Sequence, residues 1–211
     1  MPGEKSAGSP AALAQQEYAQ AAQEEQQQAE KEQAIVKKLV TPEEVDAAYA
    51  NLPQQLKEET TKEKLAESLA TNKLMLQEAE KKSLTATQQE VDAYVDNQRR
   101  IASLDAQAFT ARIESQGYTM EEYTQAVENL VTASKLLESE LRLSQVNASE
   151  QEITTYLQDN RQEFQDFFEE NDPALLDALK TRIGQKLTKE KQDALVKDYV
   201  ASLKEDAIAR G

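Results

Sequence analysis

The sequence predicts an all-helical protein, and three observations carry that prediction. Only 5 Gly and 5 Pro serve 211 residues, too few turn formers for the many connections of a sheet protein. Four segments place Ser or Thr three residues before Glu, with an apolar residue next: Thr41–Glu44–Val45, Thr87–Glu90–Val91, Thr119–Glu122–Tyr123 and Ser149–Glu152–Ile153. That spacing is the capping box, in which the hydroxyl accepts from the N3 amide and the carboxylate accepts from the N-cap amide. Between these starts, apolar residues recur at steps of three and four.

The elements follow in order. Residues 1–38 are rich in Ala, Gln and Glu, with Leu13 and Tyr18 almost alone as apolar side chains before Ile35. Ser9 and Pro10 suit an N-cap and first helical position. Without an apolar stripe this segment is expected as a solvated helix or a frayed tail. Residues 39–211 are expected to form the folded helical domain. Thr41 opens a helix that ends at Leu52-Pro53. Thr60 and Glu63 offer a further box, opening a helix with Leu65, Leu69 and Leu76 on one side and Leu74 and Met75 beside them. Val91, Tyr94, Val95 and Ile101 line the next helix. Phe109 and Ile113 mark a short one that stops at Gly117, a C′ glycine.

Tyr123, Val127, Leu130, Ser134, Leu137 and Leu141 then form a stripe five turns long, which requires several packing partners. Ile153, Tyr156, Leu157, Phe164 and Phe168 form another. Asp172-Pro173 opens the last helix, carrying Leu176, Leu179, Ile183, Leu187, Val196, Tyr199 and Leu203, with Gly184 as a kink or close crossing. The similar boxes are read as recurring capping chemistry rather than a duplicated unit, because the intervals between them are irregular.

Composition narrows the function. The net charge of −15 repels phosphate backbones and anionic membrane surfaces, which argues against nucleic acid as a partner. No apolar run reaches the length of a membrane span, so no membrane insertion is expected. With no His and no Cys, the chain offers no thiol nucleophile, no Cys/His zinc site and no imidazole base. No phosphate-cradling glycine loop or EF-hand spacing occurs. Carboxylate pairs such as Glu121-Glu122 and Glu169-Glu170 read as solvated helix faces. The expectation is a non-enzyme with no cofactor and no metal. Tyr94, Tyr118, Met120 and Tyr123, with Met75 and Phe109, gather near helix junctions. They are the candidate residues for contacting varied apolar peptides, because Tyr is amphipathic and Met is flexible; closing the core is the competing role.

From Thr41 to Leu143 the order of signals resembles a known family. A capped helix ending in Leu52-Pro53 precedes a leucine helix that closes with Leu76-Gln77-Glu78-Ala79. Glu90-Val91-Asp92-Ala93 follows, then the short helix around Phe109, the Gly117-Tyr118-Thr119 turn with Glu121-Glu122-Tyr123, and a long apolar helix. This is similar to the N-terminal helical domain of SurA and of PrsA-like foldases. It implies a multi-helix SurA- or trigger-factor-like peptide-binding chaperone module. Ser149–Phe164 resembles the helix leading into the parvulin-type prolyl isomerase domain of such proteins, and Leu179–Leu203 the C-terminal helix that returns after it. An isomerase domain needs on the order of 100 residues at this point, and parvulin sites depend on His. The chain has neither, so isomerase activity is not implied. A second departure is Ile35–Val40, which reads as helix where the family often has a strand.

The resemblance implies an ATP-independent, holdase-like module whose partners are unfolded or nascent polypeptides. The alternative is a helical structural or adaptor protein that dimerises or scaffolds a partner. Family membership would place the chain outside the cytoplasm if an export signal preceded it, and in the cytoplasm if Met1 is the native start. The opening MPGEKSAGSP reads as neither a signal peptide nor a lipoprotein leader.

Overall fold

A computed structural model describes the backbone of residues 10–165, 167 and 172–210, with side chains described from residue 22 onward except 24 and 25. It is all-helical, with no strand among the described residues. The helices are α1 (Pro10–Leu39), α2 (Pro42–Asn51), α3 (Gln54–Glu59), α4 (Lys62–Lys81), α5 (Gln88–Ile101), α6 (Ala106–Ser115), α7 (Met120–Leu141), α8 (Glu150–Asp159) and α9 (Pro173–Arg210). The expected cap at Ser9 and the side chains of Leu13, Tyr18, Phe168, Glu169 and Glu170 lie outside the described residues.

All four capping boxes form, with both reciprocal hydrogen bonds at Thr41, Thr87, Thr119 and Ser149. Asp172 caps α9, its Oδ1 accepting from the Ala174 amide at 2.8 Å. Asp105 caps α6 in the same manner, accepting from Ala108 at 2.8 Å. The expected cap at Thr60 moves by one residue. Thr61 Oγ1 accepts from the Lys64 amide at 3.3 Å instead. This choice puts an apolar residue, Leu65, directly after N3, as in the other boxes, where it packs on the core. Ile35–Leu39 continue α1 rather than forming a strand.

Helix ends follow a second repeated rule. At Ser83, Ser103 and Gly117 the backbone turns left-handed, with φ of 56°, 55° and 89°. After each, the next amide reaches back to close a Schellman motif: Leu84 to Ala79, Leu104 to Arg99, and Tyr118 to Ile113. Only one of the three positions carries the glycine that this conformation favours.

The contacts divide the chain into two compact units, Met1–Lys73 with Lys204–Gly211, and Leu74–Leu203. In the first, Val40, Val45 and Ala70 are buried beneath Val36, Leu39, Leu65, Ala66 and Leu69. The second has two clusters of mutually packed buried residues, beside buried Val91, Phe109, Ile113 and Val127 of α5, α6 and α7. Met75, Ala79, Leu136 and Leu203 form one, with Tyr199 and Val200 of α9 packed against it. Ile153, Leu157, Leu179 and Ile183 form the other, between α8 and α9. The C-terminal helix therefore packs on other helices through most of its length within this unit.

Three expected stripes are corrected by this packing. On α4 the buried positions are Ala70, Leu74, Met75 and Ala79, with Leu65, Leu69 and Leu76 half-buried. Ala70 belongs to the Val40–Val45 cluster and Ala79 to the Met75–Leu203 core, so α4 buries different faces along its length. On α7, Leu130 is 48% exposed and Ser134 is exposed, whereas Val127, Thr132 and Leu136 are buried. The helix serves α5 and α6 as well as the Met75–Leu203 core, so its covered surface is no single stripe. On α5, Ile101 is 70% exposed, because the chain leaves the helix through the Ser103 turn and half-buried Leu104 follows. Gly184 marks a close crossing and no break: α9 continues through it, and a Cβ there would lie 3.0 Å from Ile153 Cδ1.

Candidate functional site

Three of the four capping boxes carry a further device that holds a helix start against another helix. Lys73 Nζ bonds Glu44 at 2.6 Å and the Leu39 carbonyl at 2.9 Å. Lys135 Nζ bonds Glu90 at 2.8 Å and the Thr85 carbonyl at 2.9 Å. Lys191 Nζ bonds Glu152 at 2.9 Å and the Asn147 carbonyl at 3.1 Å. Each lysine thus joins the N3 carboxylate to the carbonyl two residues before the N-cap. One turn earlier on the lysine's helix stands Thr132 or Thr188, whose Oγ1 accepts from the Ala86 or Ala148 amide at 2.9 Å. In the first copy that position is buried Ala70. No hydroxyl is needed there, because the corresponding amide, Val40, already donates to Val36 at the end of α1.

These contacts fix the carboxylates in their charged form. Lys135, together with the Thr87 amide and hydroxyl, holds Glu90 at a pKa of about 2. The Ser149 amide, then Lys191, holds Glu152 at about 2. Glu44 is also lowered, by Lys73 first and Thr41 second. Glu122, whose box has no lysine partner among the described residues, is lowered through Thr119.

The third clamp closes one end of an open groove of about 570 Å³ between α8 and α9. Tyr156, Leu187 and Ala194 supply its apolar lining, while Glu152, Asp159, Glu190 and Lys191 supply charge. Lys186 stands beside it, its ammonium 4.7 Å from the Tyr156 ring centre and 2.5 Å from the phenol oxygen. That phenol contact raises the Lys186 pKa, so the amine stays protonated well above neutrality. Phe164 lies beside Tyr156, ring centres 6.3 Å apart. A volume of this size suits a few side chains of a peptide or a small molecule.

The six residues singled out from the sequence do not form one surface. Phe109 is buried and meets Tyr123 edge to face, ring centres 5.7 Å apart. Tyr94, half-buried, lies near enough to Tyr123 to act on its phenol, whose pKa is raised by burial first and by Tyr94 second. These three aromatic residues join α5, α6 and α7. Met75 sits in the separate core with Ala79, Leu136 and Leu203. Met120 is the half-buried first residue of α7, and Tyr118 is 37% exposed in the turn before it. The α8–α9 groove was not singled out from sequence. Its signal was Lys191, which falls opposite a capping glutamate only once α9 has folded back.

No protein-family model matches the chain, no curated protein matches it, and no solved structure matches it.

Proposed function

We propose that this protein is an ATP-independent, holdase-like chaperone that binds unfolded apolar polypeptide segments on a SurA- or PrsA-like helical body without a prolyl isomerase domain. The observation that carries the reading is the order of helices from Thr41 to Leu143 together with a returning C-terminal helix. Leu203, Tyr199 and Val200 of α9 pack with Met75 and Ala79 of α4 and Leu136 of α7, the return that such a body requires. Exposed apolar side chains, Ile101 at 70% and Leu130 at 48%, are available to clients, as is the α8–α9 groove. Each Å² of client apolar surface covered contributes roughly 25 cal/mol, so small patches bind weakly and release readily. The charge of −15 keeps such a surface from self-association.

The test is suppression of aggregation of a chemically denatured client, with binding followed by NMR titration. No suppression at excess protein and no binding to unfolded polypeptide would sink the reading. Leu130, exposed on the 22-residue α7, also fits the second reading, an adaptor that dimerises through this helix. A tight, obligate dimer by light scattering that Leu130→Glu dissolves would favour that reading.

A further inference from the structure

We propose that the groove between α8 and α9 is a docking site for extended client segments in which an aliphatic or aromatic side chain is flanked by Lys or Arg. The inference rests on the chaperone reading and names the class of segment that this site selects. The apolar lining, Tyr156 and Leu187, takes the central side chain. Charge decides the flanks. Both amines at the groove are engaged by the protein itself: Lys191 by Glu152 and the Asn147 carbonyl, Lys186 by the Tyr156 hydroxyl and ring. The two carboxylates other than Glu152 are less committed. Asp159 forms no ion pair among the described residues, and Glu190 has only a loose contact with Lys186 at 3.9 Å.

Three carboxylates, Glu152, Asp159 and Glu190, thus face two amines, Lys191 and Lys186, and the field favours a cation. The C-terminal end of α8, which carries the negative end of the helix dipole, adds to it beside Asp159. From Ser149 to Asp159 the groove follows α8 for about 15 Å at 1.5 Å per residue. That length accommodates about four to five residues of extended chain. A basic flank on each side of one apolar residue fits this span, and complementarity of this kind sets specificity and association rate.

The experiment uses the full chain, isotopically labelled, and two peptides sharing one apolar residue, flanked by Lys in one and by Glu in the other. The Lys-flanked peptide is expected to shift the amides of Tyr156, Leu187 and Lys191 and to bind at least fivefold more tightly. Rising salt is expected to erase most of that difference. The double variant Asp159→Lys, Glu190→Lys, at two exposed positions, is expected to reverse the preference. Equal affinity of the two peptides, or shifts confined to other helices, overturns the proposal, and this comparison needs no variant. Concentration-dependent shifts of the same amides without peptide would assign the groove to a second copy of the chain and overturn it too. If aggregation is suppressed while these amides stay silent, the groove assignment falls and the chaperone reading stands. If the groove binds the Lys-flanked peptide but no client is protected, the chaperone reading falls alone.

Discussion

Lys135 Nζ lies 2.8 Å from Glu90 and 2.9 Å from the Thr85 carbonyl, so one ammonium on α7 holds both the first turn of α5 and the chain leading into it. The side chains are 30% and 41% exposed, so water screens the pair, and its value lies as much in fixing geometry as in Coulomb energy.

The first prediction concerns acid. Glu90 and Glu152 are held at about 2 in the folded chain, against an ordinary 4.5. Their contribution is present above the ordinary value and is lost as pH falls from about 4.5 toward 2, where the unfolded chain binds protons first. The urea midpoint is therefore expected to hold steady above that range and to fall through it. In Lys135→Met, Glu90 moves back toward its ordinary value. The neutral-pH midpoint drops and the acid limb becomes shallower, which urea titrations across pH measure directly.

The second concerns the buried hydroxyl. Thr132 is 4% exposed and is the acceptor for the Ala86 amide. Thr132→Val keeps the shape and removes the acceptor, at an expected cost of about 1–3 kcal/mol. Thr132→Ser restores much of it. Thr188→Val is expected to cost less, because Thr188 is half-buried and water can replace the lost acceptor. Denaturant unfolding of the three variants separates hydroxyl from volume.

The third concerns left-handed serines. Ser83→Gly and Ser103→Gly remove the Cβ that disfavours φ near 55°, and each is expected to stabilise by about 0.5–1 kcal/mol. Gly117→Ala runs the other way by about 1 kcal/mol. Nothing lies within 4 Å of the Cβ it would add, so the loss is one of backbone alone. Calorimetric Tm values check the opposite signs.

The fourth compares two leucines of one helix. Leu136 is fully covered, and Leu136→Ala is expected to cost about 2–5 kcal/mol. Leu130→Ala, on a 48% exposed side chain, is expected to stay within about 0.5 kcal/mol. Equal losses in thermal unfolding would mean that α7 buries a different face.

Helix starts were legible in the sequence because a capping box is a local device, complete within four residues. Thr41, Thr87, Thr119 and Ser149 needed nothing distant to declare themselves. Buried faces were less legible. Ala70 and Ala79 are core residues that hydrophobic spacing undervalues, since a single methyl group carries little weight in an apolar stripe. Leu130 sits on a good helical stripe and still faces solvent, because α7 contacts its partners on more than one side. The cap at Thr61 rather than Thr60 was decided by where Leu65 had to point.

The candidate site was less legible again. Lys191 and Glu152 are 39 residues apart, and Lys135 and Glu90 are 45 apart, so nothing local announces either clamp. Irregular intervals between boxes argued against a repeated unit. The structure shows that the same lysine clamp nevertheless recurs at Thr41, Thr87 and Ser149, with an alanine in place of the clamp threonine where α1 already satisfies the amide. Tyr94, Phe109 and Tyr123 are brought together by α5, α6 and α7, whereas Met75, equally apolar, belongs to another core.

The Glu152–Lys191 clamp also bears on how this architecture tolerates added sequence. It staples the start of α8 to the middle of α9, whatever length of chain runs between them. Closing such a loop becomes costlier only with the logarithm of its length, about 0.6 kcal/mol for each doubling. Between Asp159 and Pro173 the chain could therefore accept a guest domain whose own ends lie close together, with the two helices still meeting at Ile153 and Gly184. The Ile153–Gly184 packing, more than the water-screened clamp, would keep the two ends of such an insertion together.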